Sequence, residues 1–181
     1  MAAARPRLIM MCGLPGAGKT TLARRLAREL PAVRLCPDEW LADLGFDLFD
    51  GAARDRVEQR LWVHAEELLA VGTVVVLENG FWDRAERDEK RLRIRSLGAA
   101  VELRYLDVPS EELHRRIALR DREPGSVVIG PELLRECEAR FEAPDPAERR
   151  LFDQPLTPST SASAASAQPV VPAIGSVVRA D

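Results

Sequence analysis

The sequence is poor in cysteine and histidine, has no long apolar run, and has no excess of either charge. Its three cysteines, Cys12, Cys36 and Cys137, show no CxxC or other ligand spacing, so no thiolate metal site of known pattern is present. Two of them close apolar runs, and all three are expected as free, buried thiols in a reducing cytosol. The opening stretch MAAARPR leads into only five apolar residues. That is too few for a signal peptide or a membrane span, so no membrane partner and a cytoplasmic location are expected. No internal repeat is visible. Lys and Arg number 26 against 29 Asp and Glu, a net charge of −3. Such a balance argues against a protein whose main task is to coat nucleic acid, though a local basic patch remains open.

What is there fits one folded unit. The chain has 181 residues, 46% of them hydrophobic and 30% charged, enough for one domain with a real core. Composition breaks once, near Pro155. Residues 155–181 are rich in Ser, Ala and Pro and are expected to form a flexible tail, which leaves a domain over 1–154. Within that domain the pattern alternates. Strands are expected at Arg7–Cys12, Ala32–Cys36, Thr73–Glu78 and Val101–Asp107. Helices are expected at Lys19–Leu30, Asp38–Leu44, Ala53–Val71, Asp83–Leu97, Ser110–Arg122 (with Ser110 as its cap) and Pro131–Phe141. Strand–helix alternation of this kind predicts an α/β fold with a mostly parallel sheet wrapped by helices.

Directly after the first strand comes GLPGAGKT, which fits the Walker A pattern GxxxxGK[ST]. Glycines let the backbone turn so that its N–H groups face a phosphate with no Cβ in the way. The helix beginning near Lys19 aims its positive end at the same anion. The stretch Gly13, Leu14, Pro15, Gly16, Ala17, Gly18, Lys19, Thr20 and Thr21 is therefore expected to bind a nucleoside triphosphate, ATP first. Lys19 reaches the β- and γ-phosphates, and the Thr20 hydroxyl ligates Mg²⁺.

In an open parallel sheet, ligands bind at the carboxyl ends of the strands. Asp38 follows the second strand. It is placed to take the proton of an attacking hydroxyl, or else to cap the helix that starts there. Glu78 ends the third strand. It is either a holder of a metal-bound water or an acid without a role. Asp107, before Pro109, belongs to a turn. Arg116 and Arg120 share a helix face and Arg122 lies just beyond, ahead of a short segment near 120–130 with Gly125 and Gly130. They are read as a lid over a polyphosphate, against the alternative of a solvated basic helix. DRAERDEKRLRIRSLG interleaves acids with bases and is read as a solvated face. Trp40, Phe46, Phe49, Phe81 and Trp82 either line an acceptor pocket or pack the core.

GLPGAGKTTLARRLA, RLCPDEW, VVVLENGFWDRAERD, ELRYLDVPSEELHRRI, ALRDRE and FEAPDP together resemble the small P-loop kinase superfamily. The resemblance is to the branch with chloramphenicol phosphotransferase, the 5′-hydroxyl polynucleotide kinases and the zeta-type toxin kinases, and it covers about residues 7–154. It implies a P-loop NTPase fold of the adenylate-kinase-like kind. It also implies Asp38 as the catalytic base, Arg120 first among arginines that touch the phosphates and adenine, with Arg116 and Arg122 behind it, and Phe141–Pro144 near the adenine. Three departures matter. The polynucleotide kinases have an Arg three residues after the base, where this chain has Leu41, which weakens a nucleic-acid acceptor. No hhhhDE Walker B is present, which argues against a motor ATPase. A last core strand is not evident and is sought around Leu151–Leu156. The expectation is an ATP- and Mg²⁺-dependent kinase acting on a small-molecule hydroxyl. A 5′-hydroxyl nucleic-acid kinase and a non-catalytic ATP-binding switch stand as alternatives.

Overall fold

The four apolar runs form one parallel sheet in the order β2–β3–β1–β4. The strands are β1 (Arg7–Cys12), β2 (Val33–Leu35), β3 (Val74–Gly80) and β4 (Ala100–Tyr105). The computed structural model describes residues 5–156; the expected tail lies almost wholly outside them. Between the strands run α1 (Lys19–Glu29), α2 (Pro37–Asp43), α3 (Gly51–Ala70) and α4 (Arg84–Ser96), and after β4 come α5 (Ser110–Arg120), α6 (Pro131–Arg140) and α7 (Pro146–Arg149).

Alternation along the strands divides the core in two. Ile9, Met11, Val74 and Val76 pack with Ala23, Leu26 and Leu30 of the α1 side. Leu8, Met10, Val75, Leu77 and Val101 pack with Val57, Leu61, Ala65 and Leu69 of α3 and with Ile94 of α4. With both faces covered, the strands read as continuous apolar runs rather than alternating ones. A third cluster joins Ala17 of the loop after β1 to Leu113, Ile117 and Leu134 of α5 and α6.

Several boundaries differ from expectation. β3 runs on to Gly80, because Gly80 still pairs with Cys12 beyond an irregularity in the β1–β3 register. Ser110 is the first residue of α5 rather than its cap, and the cap position is Pro109, with no side-chain bond. The short α7 was not legible; Asp145 caps it by accepting from Glu148 N at 2.7 Å. Among the described residues there is no fifth strand at Leu151–Leu156. The segment instead lines the β4 edge through mixed bonds. Asp153 N donates to Val101 O at 2.8 Å and Leu156 N donates to the buried Glu102 at 2.6 Å. Pro155, which has no N–H, cannot extend a ladder there.

The α4 segment is mostly a solvated face, as expected, but Arg87, Arg91 and Ile94 are buried. Arg87 is 0% exposed. Its Nε and Nη2 donate to Glu148 at 2.6 and 3.0 Å, and Nη1 donates to the carbonyls of Phe81 and Trp82 at 2.9 and 3.0 Å.

Candidate active site

The loop Gly13–Gly18 leaves β1 at its carboxyl end and enters α1. Gly16 and Gly18 have φ of 80° and 95°, a region that disfavours any side chain. A Cβ on Gly16 would also lie 3.0 Å from Ile117 Cγ1 of α5. Ala17 N closes the turn on Leu14 O at 3.2 Å. Pro15 is half-buried, and Thr20 and Thr21 are exposed at the start of α1. Lys19 folds back and donates to the carbonyls of Gly13 and Leu14, each at 2.9 Å. Burial pushes the Lys19 ammonium below its ordinary value. Among the charges acting on it, Asp38 is the strongest and opposes that shift. The cradle thus fits a polyphosphate: amides around a left-handed turn, an ammonium at its centre and a helix start behind it.

Asp38 lies in the first turn of α2. The cap position is Cys36, so Asp38 is not the cap. Its side chain is 66% exposed and accepts from Arg54 Nη2 of α3 at 2.8 Å. Arg54 also donates to Leu48 O at 3.1 Å and Glu58 at 3.2 Å. Sequence reading missed Arg54, which lies far along the chain from Asp38 in a helix with other arginines. Glu78 is buried and bonded to Arg34, which also holds Glu39, and Glu39 accepts from Arg24 at 2.7 Å. Glu78 therefore has a cationic partner of its own. Among the described residues no group of three or more His, Cys, Asp or Glu forms a metal cage. Mg²⁺ needs none when phosphates and water supply most of its shell.

The expected lid joins α5 to α6. Arg116 bonds Glu112 at 2.6 Å and reaches Gly16 O at 3.4 Å. Arg120 Nε and Nη2 are shut from solvent with no hydrogen-bond partner. Arg122 is exposed. Asp121 accepts from Ile129 N at 3.1 Å and so closes the base of the segment. An open cleft of about 410 Å³ borders the loop, lined by Gly18, Thr21, Leu22, Arg25, Arg28 and Arg116.

The aromatics divide. Phe81 is wholly buried, while Trp82 Nε1 donates to Gly13 O at 3.3 Å. Trp40 and Phe46 line a separate apolar hollow with Leu44, Val57, Arg56 and Arg60. Trp40 lies two residues after Asp38, about 200° round the helix, and the hollow lies between α2 and α3, the helix that supplies Arg54 to Asp38. Phe141–Pro144 packs on the β3–α4 turn, with Glu142 N donating to Trp82 O at 3.0 Å.

The family model of the AAA domain family AAA_33 matches residues 8–144. The chain belongs to that family, and its fold is that of the small P-loop kinase superfamily. No curated protein matches the chain. Among solved structures it is similar to a chain of the Pnkp1/Rnl/Hen1 RNA repair complex, with 21% identity and a TM-score of 0.67 over 88% of this chain and 50% of that one. It thus spans half the length of that relative. It is also similar to Kti12 from Chaetomium thermophilum in complex with ADP-AlF3, with 19% identity and a TM-score of 0.63 over 78% and 84% of the two chains. A gluconokinase from Sinorhizobium meliloti 1021 shares 20% identity and a TM-score of 0.55, over 81% of each chain. At these identities the likeness is one of fold.

Proposed function

We propose that this chain is an ATP-dependent kinase that moves the γ-phosphoryl group to a hydroxyl of a small molecule. One observation carries the reading: Asp38, bonded by Arg54, opens α2 just after β2, and the phosphate loop follows β1, so both lie at the carboxyl ends of strands of one parallel sheet, where ligands bind. The loop amides and Lys19 hold the β- and γ-phosphates, and Lys19 exchanges its two carbonyl bonds for phosphate oxygens. Mg²⁺, bound through Thr20, would neutralise phosphate charge. The acceptor oxygen attacks the γ-phosphorus, the bond to the β-phosphate oxygen breaks, and ADP leaves. Asp38 takes the hydroxyl proton. The Arg120 N–H groups, which make no hydrogen bond and whose nearest charge is Asp121 at 3.8 Å, serve charge that develops on the transferred group. The fold family and the phosphate cradle support the nucleotide half of this reading; the Asp38–Arg54 pair supports the acceptor half. Domain limits of 1–154, with a lid near 120–130, accompany it.

Arg54 also favours a second reading. A guanidinium stands beside Asp38 although Leu41 occupies the position where polynucleotide kinases have theirs, so a 5′-hydroxyl nucleic-acid end is a rival acceptor. Labelled ATP with a panel of hydroxyl compounds and 5′-hydroxyl oligonucleotides, read by mass, separates the two. A small acceptor should show mild salt dependence. An oligonucleotide held through several phosphates should lose affinity by orders of magnitude between about 50 and 200 mM salt. ATP binding with no product dependent on Asp38 would leave a nucleotide-binding switch.

A further inference from the structure

Among the described residues, buried side-chain polar atoms without a hydrogen-bond partner occur in three residues: Asn79, Arg120 and Asp121. The last two belong to the lid. Asn79 does not, and a buried polar atom left unpaired costs stability unless something else pairs it. Its position says what that is. The strand order places β3 between β2 and β1. Leu35 pairs with Leu77, and Gly80 pairs with Cys12. Asn79 is therefore level with the start of α2 on one side and, on the other, with the last residues of β1, just before the phosphate loop. A phosphoryl group passing from the loop to an oxygen at Asp38 crosses the end of β3. Its neighbours in sequence are both engaged: Glu78 by Arg34, and Gly80 O by Gly13 N at 3.1 Å. The amide is half-buried, and its Oδ1 is shut from solvent.

We propose that Asn79 is a specificity-determining residue that hydrogen-bonds a second hydroxyl of the acceptor, next to the one being phosphorylated. The inference rests on the kinase reading above and narrows its acceptor to a polyol. An amide can turn either its oxygen or its nitrogen inward. A hydroxyl satisfies both orientations, because it donates and accepts. A lone carboxylate or phosphate would satisfy only the nitrogen.

The test uses the full chain and its Asn79→Leu variant with ATP and Mg²⁺. The acceptors are ribose, gluconate, glycerol and adenosine, each paired with an analogue that lacks the hydroxyl next to the reacting one. The wild type should prefer a parent polyol over its deoxy analogue by about tenfold or more, as a site built to bind a hydroxyl does. Asn79→Leu should lose that preference through a fall in kcat/KM for the parent. Its ATP affinity by calorimetry should be unchanged and its melting temperature equal or higher, since the leucine removes an unpaired polar group. A clear drop in melting temperature would show that Asn79 is satisfied within the protein and would overturn the proposal. A parallel loss of ATP affinity, or an unchanged preference, would also overturn it. Phosphate gain by 5′-hydroxyl oligonucleotides or simple alcohols alone would overturn the polyol and leave the kinase standing. No phosphate gain by any acceptor would remove the kinase reading and the inference with it.

Discussion

Asp38 receives one directed bond, from Arg54, and the rest of its carboxylate is open to solvent. An oxygen held in this way is oriented without being used up, which suits a base that must meet an incoming hydroxyl. Asn keeps the shape of Asp but cannot take the proton. Asp38→Asn should therefore bind ATP·Mg²⁺ as the wild type does and lose turnover by roughly 10²–10⁴-fold. Near-normal turnover on the true acceptor would remove Asp38 as the base. Helix capping cannot confuse the result, because the cap position is Cys36. Arg54→Met should keep the base and misplace it, costing up to about 10²-fold in kcat with ATP affinity intact. Lys19→Ala should weaken triphosphate binding sharply while the fold stays whole; an unchanged affinity by calorimetry would undo the phosphate-loop assignment. The loop and Asp38 were legible in the sequence because each combines residue type with a fixed place after a strand. Arg54 was not, because its partner lies 16 residues away in another helix and no local spacing marks such a pair. Asn79 was also passed over: an unpaired buried amide is a property of packing, and no pattern of residue types announces it.

At the scale of the element, α2 is seven residues long and carries Asp38, the proposed base, so its orientation depends on what anchors it. Arg34 of β2 bonds both Glu39 of α2 and Glu78 of β3, and Arg24 of α1 reaches Glu39. The chain of charges ties α2 to both the sheet and α1. Arg34 above all, with Arg24 behind it, holds the Glu39 carboxyl below its ordinary value of 4.5. The native state therefore keeps this carboxylate ionised to lower pH than the unfolded chain does. Its contribution should be full above about pH 4.5 and should fade as pH falls through the native value. Glu39 has a side chain 42% exposed, so solvent screening limits the contribution to under about 1 kcal/mol. The melting-temperature gap between wild type and Glu39→Gln should be small at pH 7 and should shrink as pH falls below about 4.5. A gap that widened in acid would show that the network does not act this way. Strand order and helix order were readable because apolar runs and turn residues are local signals. The extension of β3 to Gly80 was not, since it depends on which neighbour the backbone meets.

At the scale of the whole molecule, the Arg87–Glu148 pair joins parts of the chain that the sheet alone would leave apart. It links α4 to α7 across 61 residues. Charged composition normally signals surface, so the sequence concealed this pair. Its members are 0% and 1% exposed. Arg87 also holds the carbonyls of Phe81 and Trp82. Phe81 has a φ of 49°, and Trp82 touches Gly13 of the phosphate loop. The pair therefore supports the loop from beneath. Removing one partner leaves an uncompensated buried charge, which costs about 3–5 kcal/mol, or roughly 10 °C in melting temperature for a domain of this size. Glu148→Leu should show that loss. Arg87→Met should lose comparable stability because it strands the Glu148 carboxylate, while Phe81 O keeps the Cys12 thiol as a donor at 3.3 Å. Trp82 O keeps a donor in Glu142 N. The double variant should be clearly more stable than the sum of the two losses, since neither charge is then left alone. Measured well below its melting temperature, Arg87→Met should also bind ATP more weakly than Glu148→Leu, because only Arg87 touches the turn that meets Gly13. Additive losses in the double variant would show that the pair is not a coupled unit. Equal ATP affinities in the two single variants would show that the phosphate loop does not depend on this support.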